Sequence, residues 1–159
     1  MSMTTSSAAI AWAYLDKKAA AADALRDFHS MIHIVVTHDT EEAIIRERMT
    51  ALPSPAPSGV PGAHNPTANE TRIAAQLDEI DVLQERYRRA AEYMAWFKPA
   101  WLEMSEDEQY VLNEFYLNGD NSQEDVVGNI CNRFHIARSS AYKKKDRALA
   151  KLSVLLYGK

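Results

Sequence analysis

Between residues 138 and 151 the chain carries Arg138, Lys143, Lys144, Lys145, Arg147 and Lys151, with Ser139 and Tyr142 among them. Guanidinium, ammonium and hydroxyl donors packed into about four helical turns suit one kind of chemistry, the binding of phosphates and base edges. On a helix lying in the major groove of double-stranded DNA, Arg138, Ser139, Tyr142 and Lys143 would face base edges, and Lys144, Lys145, Arg147 and Lys151 the phosphates. A lysine-rich helix is more often just a solvated face, so the elements that position these residues decide its meaning.

Charge sets this segment apart. The whole chain has a net charge of -4, yet residues 133–159 hold 8 basic and 1 acidic side chains, and residues 105–132 hold 7 acidic and none basic. A concentrated basic block is the electrostatic footprint of a phosphate-binding surface, although pairing with the acidic stretch would also account for it. Other chemistry is sparse. His29 and His33 stand four apart, with His38 and Asp39 near by, but without His-Glu-x-x-His or a neighbouring cysteine they read as interfacial histidines, and no metal is expected. Trp96, Phe97 and Trp101 read as a hydrophobic joint. No glycine-rich phosphate loop, Gly-x-Ser-x-Gly or nucleophile with a matched base is present, so neither an enzyme nor a cofactor is expected.

The 159 residues are 47% apolar and 25% charged, the balance of a globular chain with room for one domain or two small ones. The apolar runs are far too short for a membrane span. The N-terminus lacks a signal-peptide pattern and the single Cys131 allows no intrachain disulfide, so a cytoplasmic protein is expected. Five of the six prolines lie between 53 and 66, which predicts a disordered loop.

Two stripes, before and after that loop, recur at steps of three and four, apolar but for Lys18 in the first and Gln84 interrupting the second. Ala11, Tyr14, Lys18, Ala21, Leu25, Phe28, Ile32 and Val35 mark one long stripe; Ile73, Leu77, Ile80, Tyr87, Ala91 and Met94 mark the other. Thr67 and Glu70 have the spacing of a capping box, Pro99 should end the second helix, and β-branched Val35-Val36-Thr37 predicts a kink near residue 38. Two such helices joined by a loop predict an antiparallel hairpin over 1–98, and a second subunit would complete the burial of their stripes, so a homodimer is expected.

Beyond Pro99 the helices shorten. Ser105 and Glu108 form another capping box, a helix is expected near 106–117 with Asn118-Gly119 as its stop, and a second over Val126–Arg133. Ile130, Cys131, Phe134, Ile136 and Ala141 have the inward spacing of a helix-turn-helix whose second helix runs from Arg138 to Leu156. Cys131 then reads as a small buried core residue. The core side of the second helix would be Ala141, Ala148, Leu149, Leu152 and Leu155 or Leu156. His135 falls where the turn needs a positive φ, and Ala137 where a serine cap would add about 1 kcal/mol.

The stretch from Leu102 to Leu152 resembles region 4 of sigma-70 family factors, and the chain as a whole is similar to small phage-encoded, sigma-region-4-like transcriptional regulators of the ArpU and RinA kind. The resemblance rests on Phe115-Tyr116-Leu117-Asn118-Gly119, Ile130-Cys131, Arg138-Ser139-Ser140-Ala141-Tyr142 and the closing Arg147-Ala148-Leu149-Ala150-Lys151-Leu152. It implies an all-α protein with a helix-turn-helix DNA-binding domain over 99–159, acting as a phage or prophage transcription regulator, with RNA polymerase as a further partner. Two other readings use the same features: the small subunit of a phage terminase, and a helical adaptor that binds only protein.

Overall fold

The structure, a computed structural model, describes residues 15–51 and 66–158. The Pro-rich loop and the first apolar positions of the N-terminal stripe, Ala11 and Tyr14, lie outside the described residues. All the described elements are helical: α1 Lys17–Arg26, α2 Phe28–Thr50, α3 Pro66–Glu103, α4 Glu106–Leu112 continuing into a π-helical segment Asn113–Leu117, α5 Gln123–Phe134 and α6 Arg138–Tyr157. They form two compact units, residues 15–29 with 94–158, and residues 30–51 with 66–93.

The first unit is built on burial. Asp16 caps α1 by accepting the Ala19 N–H at 3.1 Å, and the alanine-rich sequence that follows has high intrinsic helicity. Its Ala21, Ala22 and Leu25 are buried, and the helix packs on α6 and on the π segment. Leu25, on the N-terminal side of the expected 98/99 boundary, is thus satisfied inside the chain by the C-terminal helices. Phe28, at the start of α2, stands 5.1 Å from the ring of Phe97 and 5.7 Å from that of Trp101. Leu25, Phe97, Leu112, Ile130 and Leu152 are fully buried, and each leucine, isoleucine or phenylalanine removed from water contributes about 1.5–3 kcal/mol.

In the second unit, side-chain pairs join α2 to α3 in antiparallel order. His38 stacks on Tyr87 at 4.3 Å, Glu41 pairs with Arg86, and Arg48 meets Glu79 at 3.3 Å. Its buried residues are Ile45, Ile80, Ala90 and His38. Val36, Ile44, Ile73, Leu77 and Val82 stay exposed, Val36 to 72% and Val82 to 67%, so the described residues leave Ile73 and Leu77 of the expected stripe partly open. His29 and His33, read as interfacial, are exposed, whereas His38 is the buried histidine.

Several helix boundaries differ from the sequence reading. The chain breaks at Asp27 rather than near residue 38, and α2 runs unbroken through Val35-Val36-Thr37. The Thr37 hydroxyl lies 2.8 Å from the His33 carbonyl and 3.0 Å from the Glu41 carboxylate, so it is satisfied inside the helix. Likewise α3 passes through Pro99 to Glu103. Proline removes one helical hydrogen bond, but Phe97, Ala100, Trp101 and Met104 around it are all buried, and their packing holds the last turns in place. At the other end α3 begins at Pro66, at a position where the missing N–H costs nothing, so Thr67 stands within the first turn rather than ahead of it. No described helix is long and apolar enough to cross a membrane.

Candidate nucleic-acid interface

α5 and α6 meet through a connection that the local sequence determines closely. Ser122 caps α5 by accepting the Asp125 N–H at 3.2 Å. At the far end His135 takes φ 53° and ψ 50°, a left-handed conformation in which histidine is several-fold enriched among non-glycine residues. The Ile136 N–H reaches back to the Cys131 carbonyl at 3.2 Å, a Schellman-type closure that turns the chain out of the helix. α6 starts after Ala137, which offers no side-chain cap.

The core beneath this connection consists of Val111, Val126, Val127, Ile130 and Ala141, with Phe115, Cys131, Phe134, Ile136 and Tyr142 packed against it. The expected inward residues are therefore brought together, although Cys131 is half-buried rather than enclosed. Ala148, Leu149, Leu152 and Leu156 continue the buried side of α6, and Leu155 points outward.

The π segment shapes the neighbouring wall. Its widened turn brings Glu114 inside, where the carboxylate accepts the side-chain amides of Asn118 at 3.0 Å and Asn129 at 3.3 Å. A buried acid keeps its place only when its lone pairs are satisfied, and here α5 supplies one donor and the end of the π segment the other.

The eight candidate contact residues fall into three groups. Arg138, Ser139, Lys143 and Arg147 are exposed, and the helical period sets Ser139, Lys143 and Arg147 opposite the buried side, with Arg138 at the open first turn. On one flank Tyr142 is half-buried: its ring lies 5.8 Å from that of Phe115, and its hydroxyl accepts the Gln123 side-chain N–H at 3.2 Å. Lys145 sits beside it, its ammonium 5.1 Å and 5.5 Å from the Phe115 and Tyr142 ring centres. On the other flank the Lys144 ammonium lies 4.5 Å from the Phe134 ring centre, and Lys151 bonds the Glu108 carboxylate at 2.9 Å and 3.3 Å. Cation–π contacts at exposed sites are worth about 0.5–1 kcal/mol, so Lys144 and Lys145 lie along the surface without being locked there.

Sequence reasoning left three participants unassigned. Arg133, in the last turn of α5, sits 4.1 Å over the Tyr110 ring centre and 3.8 Å from Asp107. Asp107 and Glu108, in the first turn of α4, face the cations of α5 and α6. Burial raises the affinity of the Glu108 carboxyl for its proton, but its bonds from Lys151 and Ser105 outweigh that and hold it below the usual carboxylate range. These contacts join residues far apart in the chain, and no spacing signals them. No protein-family model matches this chain, and searches of curated proteins and of solved structures also find no match.

Proposed function

We propose that this chain is a sequence-specific DNA-binding transcription regulator, similar to the sigma-region-4-like regulators of phages and prophages, with α5 and α6 as its helix-turn-helix. One observation carries the reading. Directly after the left-handed turn at His135, α6 presents Arg138, Ser139, Lys143 and Arg147 to solvent on a scaffold whose inward residues are packed. Asp146 is the sole carboxylate on α6. In the proposed complex Arg138, Ser139 and Lys143 read base edges, and Tyr142, held by Phe115 and Gln123, presents its ring edge beside them. Lys144, Lys145, Arg147 and Lys151 contact phosphates. The exposed Val36, Ile44, Leu77 and Val82 support homodimerisation through the helical hairpin, which would bring two recognition helices into one assembly. RNA polymerase is proposed as the further partner by resemblance.

The test is selection from a randomised duplex library, then binding of the selected and of scrambled duplexes at several salt concentrations. A selected site should emerge, and Arg138→Ala should weaken it by about 1–3 kcal/mol while leaving scrambled DNA nearly unaffected. Failure to retain any duplex at low salt would overturn the reading in favour of a protein-binding adaptor. A ring-shaped assembly in solution would instead favour a terminase small subunit.

A further inference from the structure

The cations of this interface are unequally available, and the inequality follows from α4. Its first turn places two carboxylates along one flank of α6. Glu108 is bonded to Lys151 at 2.9 Å, Asp107 lies 3.8 Å from Arg133, and the two acids share with Lys144, Arg147, Val111 and Ala148 the lining of a depression of about 130 Å³. Lys151 and Arg133 are thus paired with the two carboxylates, while Lys144 and Arg147 only line the same depression. On the opposite flank Lys145 rests on aromatic rings, with Asp146, at 3.9 Å, as its one ion-pair partner among the described residues.

We propose that Asp107 and Glu108 are an internal phosphate substitute that lowers the protein's affinity for DNA of arbitrary sequence. A carboxylate presents to an ammonium or guanidinium much what a phosphate oxygen does. Lys151 and Arg133 must give up an intramolecular partner before they can neutralise a phosphate. Non-specific affinity comes almost wholly from phosphate neutralisation, whereas base reading adds to specific sites alone. The outward row of Arg138, Ser139 and Lys143 is not engaged by either carboxylate. An internal competitor for the phosphate-binding cations therefore subtracts the same free energy from random DNA and from a cognate site, and lowers binding to both by a similar factor. Asp107 and Glu108 set how tightly the protein holds DNA of any sequence without touching a base. This rests on the DNA-binding reading for its purpose, though the masking of the cations does not.

The local structure supplies a clean test. Glu108 also closes the capping box of α4: Ser105 accepts the Glu108 N–H at 3.2 Å, and the Glu108 carboxylate accepts the Ser105 N–H at 3.0 Å. Glutamine fills the same role in a capping box, so Glu108→Gln removes the charge while keeping the helix start. Asp120→Asn, in the turn before α5, makes the same change in net charge with no cation released, and serves as the control.

Elution from a heparin column measures the unmasking without assuming that DNA is the ligand. Glu108→Gln should elute at higher salt than Asp120→Asn, and adding Lys151→Ala should cancel the difference. On scrambled duplex DNA, Glu108→Gln should bind about 3- to 10-fold tighter than wild type, with a log–log salt slope steeper by about one. The gain on a selected site should be a similar factor. Equal elution of Glu108→Gln and Asp120→Asn, with circular dichroism showing both folded, would overturn the proposal. Later elution of Glu108→Gln from heparin, with no variant binding any duplex, would keep the masking and overturn the DNA-binding reading alone. A gain on selected DNA alone would show that Glu108 acts on base reading and would overturn the masking of phosphate contacts.

Discussion

The two compact units use opposite means to stay folded. The unit of 15–29 and 94–158 encloses Leu25, Phe97, Leu112, Ile130 and Leu152 completely. The unit of 30–51 and 66–93 buries a smaller set, Ile45, Ile80, Ala90 and His38, and carries a run of ion pairs along its surface. Apolar burial is insensitive to salt and to mild acid, whereas exposed ion pairs respond to both. The candidate interface belongs to the unit with the larger core, where α6 is held by packed neighbours. The other unit has the composition of an element that gains stability from a partner.

The largest expected effect breaks the first unit. Leu152→Ala should cost about 2–5 kcal/mol, as truncation of a fully enclosed leucine does, and should lower the melting temperature together with DNA affinity. Ile80→Ala, from the smaller core, should cost less and leave the fold of 94–158 intact. Equal losses for the two, measured by denaturant unfolding, would erase the distinction.

Acid should separate the units next. Hydrogen bonds from Arg88 and Arg89 pull the Glu85 carboxyl down from 4.5 to about 2. The Thr37 hydroxyl, with Arg86, lowers Glu41, and Arg46 lowers Glu42. Carboxyls with depressed folded-state values bind fewer protons than in the unfolded chain. Their contribution is therefore complete above about pH 4.5 and is lost as pH falls toward about 2. Peptide-level hydrogen exchange between pH 5 and 2.5, corrected for intrinsic rates, should show protection falling first in 30–93. Simultaneous loss in both units would contradict this.

The smallest change sharpens the interface itself. Ala137→Ser supplies the missing cap of α6, at φ -75° and ψ 160°, and should stabilise the first unit by about 1 kcal/mol. An unchanged melting temperature would show that the N-terminal amides of α6 already have partners.

Much of this was legible in the residues. The capping box of Ser105 and Glu108, the left-handed His135, the uncapped Ala137 and the buried Ala141, Leu149 and Leu152 follow from local rules of geometry and period, which need no knowledge of the rest of the chain. The break at Asp27, the passage of α3 through Pro99 and the pairing of Glu108 with Lys151 do not. Each depends on packing or charge between distant residues, and that packing overrides the local preference. Tyr142 shows the limit most plainly: its position marks it as a contact residue, and only the fold reveals that Phe115 and Gln123 hold it.

The docking of α1 on α6 carries a consequence for synthesis. α1 is made first, yet the helix that covers Ala21, Ala22 and Leu25 follows about 110 residues later. At about 5–20 residues per second the ribosome needs roughly 5–20 s to deliver it. Throughout that interval the nascent chain carries an alanine-rich helix whose covering helix has not yet been made. Closing so long a loop also gives this unit many contacts of high sequence separation, so an all-helical protein would fold more slowly than its helices alone suggest.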